Sequence, residues 1–135
     1  MYVQLARKRH CPIEHHGIDQ LGLIYADIED FRHIFQNLIS NAAKYTNAGK
    51  TIYIRYQHPG AGGQFASIHV ASESLPIRPE EAEFIFKYRQ RAQAAKDSGV
   101  EGEGIGLAIA RAKARHYGGD VIYRSQGGYN IFTVL

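Results

Sequence analysis

The stretch NLISNAAKYT, Asn37 to Thr46, closes the clearest helical pattern in the chain. The helix is expected to start at Asp27, a good N-cap, with Asp30 placed where the positive helix start favours an acid. Ile28, Phe31, Ile34, Phe35, Leu38, Ile39 and Ala42 recur at helical spacing and form one apolar stripe. Beside the stripe, His33, Asn37, Asn41 and Lys44 share a polar face, because residues three and four apart are neighbours on a helix. Thr46-Asn47-Ala48-Gly49 ends the element, with Gly49 expected to supply a left-handed stop.

A second helix is expected from Leu107 to Tyr117, led in by Gly102-Glu103-Gly104-Ile105-Gly106 and ended by Gly118-Gly119. Glycines let the backbone approach a ligand closely. A helix N-terminus offers free N–H groups and partial positive charge. Together they suit a phosphate, although one glycine run is equally well read as a flexible loop before a helix. Taken alone, Asn37 and Asn41 read as amides bordering the core. The sharper reading is that an amide oxygen ligates Mg²⁺, a hard cation, while Lys44 faces phosphate charge.

The remaining pattern is strand-like. Thr51–Gln57 alternates with Ile52, Ile54 and Tyr56 on one side, and Phe65–Ala71 places Ala66, Ile68 and Val70 inward across a His58–Gly63 turn. Asp120–Arg124 and Asn130–Val134 flank Gly127-Gly128. Pro12–Ile18 reads as a short strand, Glu80–Arg91 as weakly helical, and Gln93–Glu103 as loose and polar. Tyr2–Arg9 reads as the end of a helix, and Leu21–Tyr25 as an apolar lead-in. Arg111, Lys113 and Arg115, interleaved with alanines, read as the water-facing side of the second helix. An α+β fold is expected: a two-layer sandwich with helices on one face of a mixed, mostly antiparallel sheet.

Composition narrows the function classes. A chain of 135 residues is one domain in size, with 1–20 expected as a linker or lead-in strand from an upstream region. Sixteen Lys and Arg against 13 Asp and Glu give a net charge of +3, too small for a nucleic-acid arm or a polybasic membrane tail. The single cysteine, Cys11, excludes an internal disulfide and suits a reducing, cytoplasmic setting. No run nears the roughly 20 apolar residues of a membrane span, so this domain is expected to make no membrane contact itself, which is equally compatible with its being the soluble end of a membrane-bound sensor. His10, Cys11, His15 and His16 match no standard zinc spacing and read as a solvated segment.

The order of the two glycine- and asparagine-bearing features carries a resemblance. NLISNAAKYT, two strands, a loose basic stretch and then GEGIGLAIARAKARHYGGD resemble the ATP-binding domain of two-component sensor histidine kinases, of the Bergerat superfamily. Residues 37–46 match the family's N-box, and Gly102 to Gly119 match its second glycine box with the same spacing. The resemblance spans about Leu21 to Leu135 and implies ATP with Mg²⁺ as cofactors. It implies that Asn41 holds the metal, that Asn37, Lys44 and Tyr45 complete the N-box contacts, and that Gly102, Gly104, Gly106 and Leu107 wrap the triphosphate. Ile85-Phe86 followed by Gln90-Arg91 resembles the F-box and a lid arginine, Arg91, with Arg89 where Phe is usual and Tyr88 as its candidate substitute. Implied partners are phosphoacceptor and dimerisation helices and a response regulator. The KYT ending of the N-box favours this branch over stand-alone serine kinases of the anti-sigma type.

One box departs from the family. Where it has roughly V-x-D-x-G-x-G-I-P, this chain reads Val70-Ala71-Ser72-Glu73-Ser74-Leu75-Pro76-Ile77-Arg78. Ser72 stands at the adenine-reading acid, and Ser74 and Pro76 stand at glycines. Glu73 is one residue off, which in a strand points it to the opposite face. Losing a hydrogen bond to a charged group removes roughly 1.5–3 kcal/mol, or about ten- to over a hundredfold in affinity. Nucleotide binding is therefore expected to be weak or lost, the alternative being a pseudo-ATPase interaction module. None of the seven histidines has the phosphoacceptor context, so the chain offers no catalytic residue of its own. Histidine kinase activity would require an upstream phosphoacceptor domain.

Overall fold

A computed structural model describes residues 12–17, 27–47, 49–57, 66–87, 90–97 and 104–135. Five strands form one sheet: β1 (Ile13–His16), β2 (Ile52–Gln57), β3 (Ser67–Ser72), β4 (Val121–Gln126) and β5 (Tyr129–Val134). Their spatial order is β1-β2-β3-β5-β4. The β1–β2 pair is parallel and every other pair is antiparallel, so the sheet is mixed and mostly antiparallel as expected.

Helices α1 (Ile28–Tyr45), α2 (Gln93–Asp97) and α3 (Gly106–His116) complete the regular structure. Asp27 caps α1, its carboxylate accepting from the amides of Glu29 at 2.8 Å and Asp30 at 3.3 Å. Ile34, Leu38 and Ala42 of the stripe are buried, and Ala43 joins them. Ile28 departs from the stripe: at the first helical position it is 69% exposed. The helix ends at Tyr45, as the sequence pattern does, but what stops it differs from expectation. Thr46 turns extended and bridges to Ser74, so pairing with the segment after β3 ends α1, and Gly49 takes its positive φ in the turn beyond.

One core joins the layers. Ile34, Leu38, Ala110 and Ala114 of the two long helices meet Ile52, Val70, Val121 and Phe132 of the sheet. Alanines at the α1–α3 contact allow close helix approach. Ala110 and Ala114 are spaced by four residues, and Arg111 beside them is buried too. The expectation that Arg111 faces water is therefore corrected. Its guanidinium spans Glu83 and Asp120 at 2.7 and 3.2 Å and lies 3.9 Å from the centre of the Phe86 ring. Lys113 is half-buried and pairs with Asp30 at 2.6 Å, whereas Arg115 is exposed.

Between β3 and α2 the weak helical pattern resolves into two short 3₁₀ turns, Pro79–Glu81 and Phe84–Phe86. The stretch expected to be loose contains α2. Glu81 explains both. Its buried carboxylate accepts from the Arg78 amide and guanidinium on one oxygen, and from the Gln93 amide at the start of α2 on the other. These bonds, led by that from the Arg78 side chain, hold Glu81 below the usual glutamate range.

The tail of α3 requires a close backbone approach. A Cβ on Gly119 would lie 2.1 Å from the Leu135 carbonyl oxygen. Gly119→Ala is expected to lower stability by about 1–3 kcal/mol, the usual cost of forcing extra atoms into packed structure. Thermal unfolding of the two proteins side by side measures it; an unchanged melting temperature would contradict the close approach.

Candidate functional site

A cavity of about 530 Å³ opens between α1, the start of α3 and the inner face of β3 and β5. That is an ordinary size for a small-ligand site. Its two ends differ in chemistry.

One end is polar and electropositive. Asn37, Asn41, Lys44 and Tyr45 line it from α1, and Gly104, Ile105, Gly106 and Leu107 line it from the start of α3. Of the polar α1 face expected from spacing, His33 alone is not part of the lining. The helical period explains the rest, since residues 37, 41 and 44 recur at one- and two-turn intervals on one wall. Lys44 has no carboxylate partner among the described residues. Ile105 occupies the N-cap of α3 and makes no side-chain cap hydrogen bond. The first amides of α3 are thus left without a side-chain acceptor. Asn37 and Gly106 are in close apposition: a Cβ at Gly106 would stand 3.3 Å from Asn37 Oδ1. Gly104 has φ 73°, which an L side chain rarely adopts. The amide nitrogen of Asn37 is buried with no hydrogen-bond partner.

The other end is apolar with a polar floor. Val70, Leu75, Ile77, Ile85 and Phe132 wall it, and Ser72, Ser74 and Asn130 lie among them. Ser72 is 4% exposed and its hydroxyl is hydrogen-bonded to that of Ser74. Among the described residues, no Asp or Glu lines the cavity. Glu73 stays outside it and pairs with Lys50 at 3.5 Å. The segment after β3 is tied to the end of α1, with the Asn47 amide donating to the Glu73 carbonyl and the Leu75 amide to the Tyr45 carbonyl.

Arg91 also lines the cavity. Its guanidinium donates to the Tyr45 hydroxyl at 2.7 Å and to the Ala95 carbonyl at 3.2 Å. Of the residues expected at the site, Asn37, Asn41, Lys44, Tyr45, Ser72, Arg91, Gly104, Gly106 and Leu107 converge on this one cavity. Gly102 lies outside the described residues, as do Tyr88 and Arg89 at the F-box, His10 and Cys11, the His58–Gly63 turn, and the Tyr2–Arg9 and Leu21–Tyr25 stretches. Asn130 was not anticipated. Its amide accepts from the Tyr123 hydroxyl and donates to the Leu75 carbonyl, both at 2.8 Å. An asparagine in a largely apolar strand is the signal that the sequence offers; its place opposite Ser72 comes from the register.

The chain belongs to the family of histidine kinase-, DNA gyrase B- and HSP90-like ATPases, which it matches over residues 26–135. It is 38% identical over 96 residues to the adaptive-response sensory kinase SasA of Crocosphaera subtropica, an alignment covering 70% of this chain and 24% of that protein. It is 34% identical over 114 residues to the aerobic respiration control sensor protein ArcB of Escherichia coli, covering 82% of this chain and 14% of that one. The chain thus spans about a quarter or less of these relatives. Among solved structures, a mycobacterial sensor histidine kinase, MprB, superposes with a TM-score of 0.77 at 20% identity, covering 97% of this chain and 86% of that one. That likeness concerns the fold. Among the described residues, no helix is long and apolar enough to cross a membrane.

Proposed function

We propose that this chain is the nucleotide-binding domain of a two-component sensor kinase, with an effective phosphate grip and a weakened contact to the base. The observation that carries this reading is the single cavity joining Asn37, Asn41 and Lys44 to the uncapped start of α3. Its donor set fits a polyphosphate. The orphaned Asn37 amide nitrogen is a buried donor, which costs roughly 1–3 kcal/mol while unpaired. An anionic oxygen would satisfy it. Lys44 and Arg91 supply positive charge, and the α3 amides supply further donors. Gly102 belongs to the same glycine loop in this reading.

Mg²⁺ would be held by Asn41, whose amide oxygen is a suitable hard donor. When bound, the ion would neutralise phosphate charge. The base would occupy the apolar end, where a neutral serine pair replaces an acid. The expected affinity is therefore about ten- to a hundredfold below that of a domain with a carboxylate there.

In this reading the domain covers residues 1–135, is cytoplasmic, and works with phosphoacceptor and dimerisation helices upstream or on a partner. Phosphate would then pass to a response regulator. A second reading, a pseudo-ATPase module that docks a response regulator or kinase partner without nucleotide, is favoured by the absence of any carboxylate from the cavity lining among the described residues.

Calorimetric titration with ATP, with and without Mg²⁺, separates the two. Saturable binding in the range of tens of micromolar to millimolar, strengthened by Mg²⁺, is the expected result. No heat up to several millimolar nucleotide from a folded sample would leave the interaction module.

A further inference from the structure

We propose that the base end of the cavity accepts 6-oxo purines, such as guanine and hypoxanthine, about as well as 6-amino purines. The inference rests on the reading of this cavity as a nucleotide site, and it concerns what selects the base.

The argument is a count of hydrogen-bonding capacity. Ser72 and Ser74 bring two hydroxyls, and their mutual bond uses one O–H and one lone pair. Whichever of them donates, the other keeps its O–H, and unused lone pairs remain. Because a hydroxyl hydrogen rotates, the pair can donate to a ligand or accept from it. Asn130 sits directly across from Ser72 in the β3–β5 register and lines the same cavity. Its oxygen is taken by the Tyr123 hydroxyl, and one of its two N–H groups by the Leu75 carbonyl. Those two bonds fix the amide orientation and leave its second N–H as a donor. The floor thus holds two donors and several acceptors, without formal charge.

A 6-amino purine offers a donor at its exocyclic group and an acceptor at N1. A 6-oxo purine offers the reverse: an acceptor at O6 and a donor at N1. A carboxylate floor can only accept. It would reward the amino group and repel O6. Sites discriminate strongly when the wrong ligand leaves buried polar groups unpaired. The hydroxyl pair and the Asn130 N–H can answer either purine, so neither leaves an unpaired group behind. The walls, Val70, Leu75, Ile77, Ile85 and Phe132, are apolar and contact ring faces that both purines share.

The test is a calorimetric comparison of Mg²⁺ complexes of ATP, GTP and ITP on the 135-residue chain, with inorganic tripolyphosphate as the base-free probe. The expected result is dissociation constants for the three nucleotides within about tenfold of each other, each tighter than tripolyphosphate. In Ser72→Asp, the ratio of ATP to GTP affinity should rise by about tenfold or more, because an acceptor-only group then occupies the floor. Ser72→Ala removes one hydroxyl of the pair without adding charge and should weaken ATP and GTP together, because the Ser74 hydroxyl that remains can still donate or accept; a loss confined to one nucleotide overturns the inference. A parental preference for ATP above a hundredfold overturns the inference while leaving nucleotide binding intact. So does equal binding of nucleotides and tripolyphosphate, which would show that the base makes no contact. Absence of binding by all four ligands overturns the nucleotide reading and the inference with it.

Discussion

Asn41→Ala is expected to abolish the Mg²⁺ dependence of nucleotide binding and to weaken binding in the presence of Mg²⁺ by at least about tenfold. Asn41 lies on α1 one turn beyond Asn37 and one short of Lys44, on the wall facing the start of α3. Its amide oxygen is a neutral, hard donor, and among the described residues no carboxylate lines the cavity to take over as metal ligand. Mg²⁺ held by Asn41 would supply positive charge beside the phosphates, so loss of that ligand should be felt in the affinity for the whole complex. Changes one shell further out already cost metal sites about ten- to a hundredfold. Lys44→Ala is the control in kind: it removes a point charge and should weaken binding with and without Mg²⁺ alike. The measurement is the same titration at zero and saturating Mg²⁺, on protein whose circular dichroism matches the parent. An Asn41→Ala protein that binds as tightly, and with the same response to Mg²⁺, would remove Asn41 from the metal site.

The parts of this molecule that were legible in advance are those whose order is local. Helix α1 follows from a three-and-four spacing and an Asp cap, and both appear where the spacing puts them. The strands follow from alternation, and their inward residues Ile52, Ile68 and Val70 are buried. The substitution of Ser72 for an acid was visible as a departure from a pattern. What it does was not, because its partner Ser74 and its neighbour Asn130 are set by strand register and by the path after β3. Register joins residues 58 apart in sequence, which no local window reports. The same holds for α2 and the 3₁₀ turns. They are too short to show a helical period, and the Glu81 carboxylate, which accepts from the amides of Arg78 and Gln93, joins the first 3₁₀ turn to the start of α2 across 12 residues. The end of α1 at Tyr45 is legible, but the device that stops it is not, for a related reason. Gly49 was a plausible local terminator, but Thr46 had already left the helix to pair with Ser74.

Arg111→Ala should be the most destabilising of the single substitutions considered, by about 3 kcal/mol, with a fall in Tm of roughly 10 °C for a domain of this size. An alternation of Arg, Lys and Arg with alanine suggests a solvated face, but position 111 follows Ala110 and precedes Ala114 at the α3–sheet contact. The side chain is 10% exposed. Its Nε donates to Asp120 Oδ1 at 3.2 Å and to the Val121 carbonyl at 3.1 Å, while Nη1 donates to Glu83 at 2.7 Å. The guanidinium plane also covers Phe86, one of the core aromatics. Glu83 is held below the usual glutamate range chiefly by its hydrogen bond from Arg111. Truncation would remove all of these together and leave a void beside Phe86. The cost stays below the upper end for broken buried ion pairs because Asp120 keeps Arg115 at 3.0 Å and Glu83 is largely in water. Arg111→Lys separates charge from shape. An ammonium can keep one carboxylate but cannot serve Glu83, Asp120 and the Val121 carbonyl while lying flat on a ring. It should recover less than half of the loss. Full recovery by lysine would mean that charge alone matters at this position, and that the fork of hydrogen bonds between α3, β4 and the Glu83 segment contributes little to holding the helical layer on the sheet.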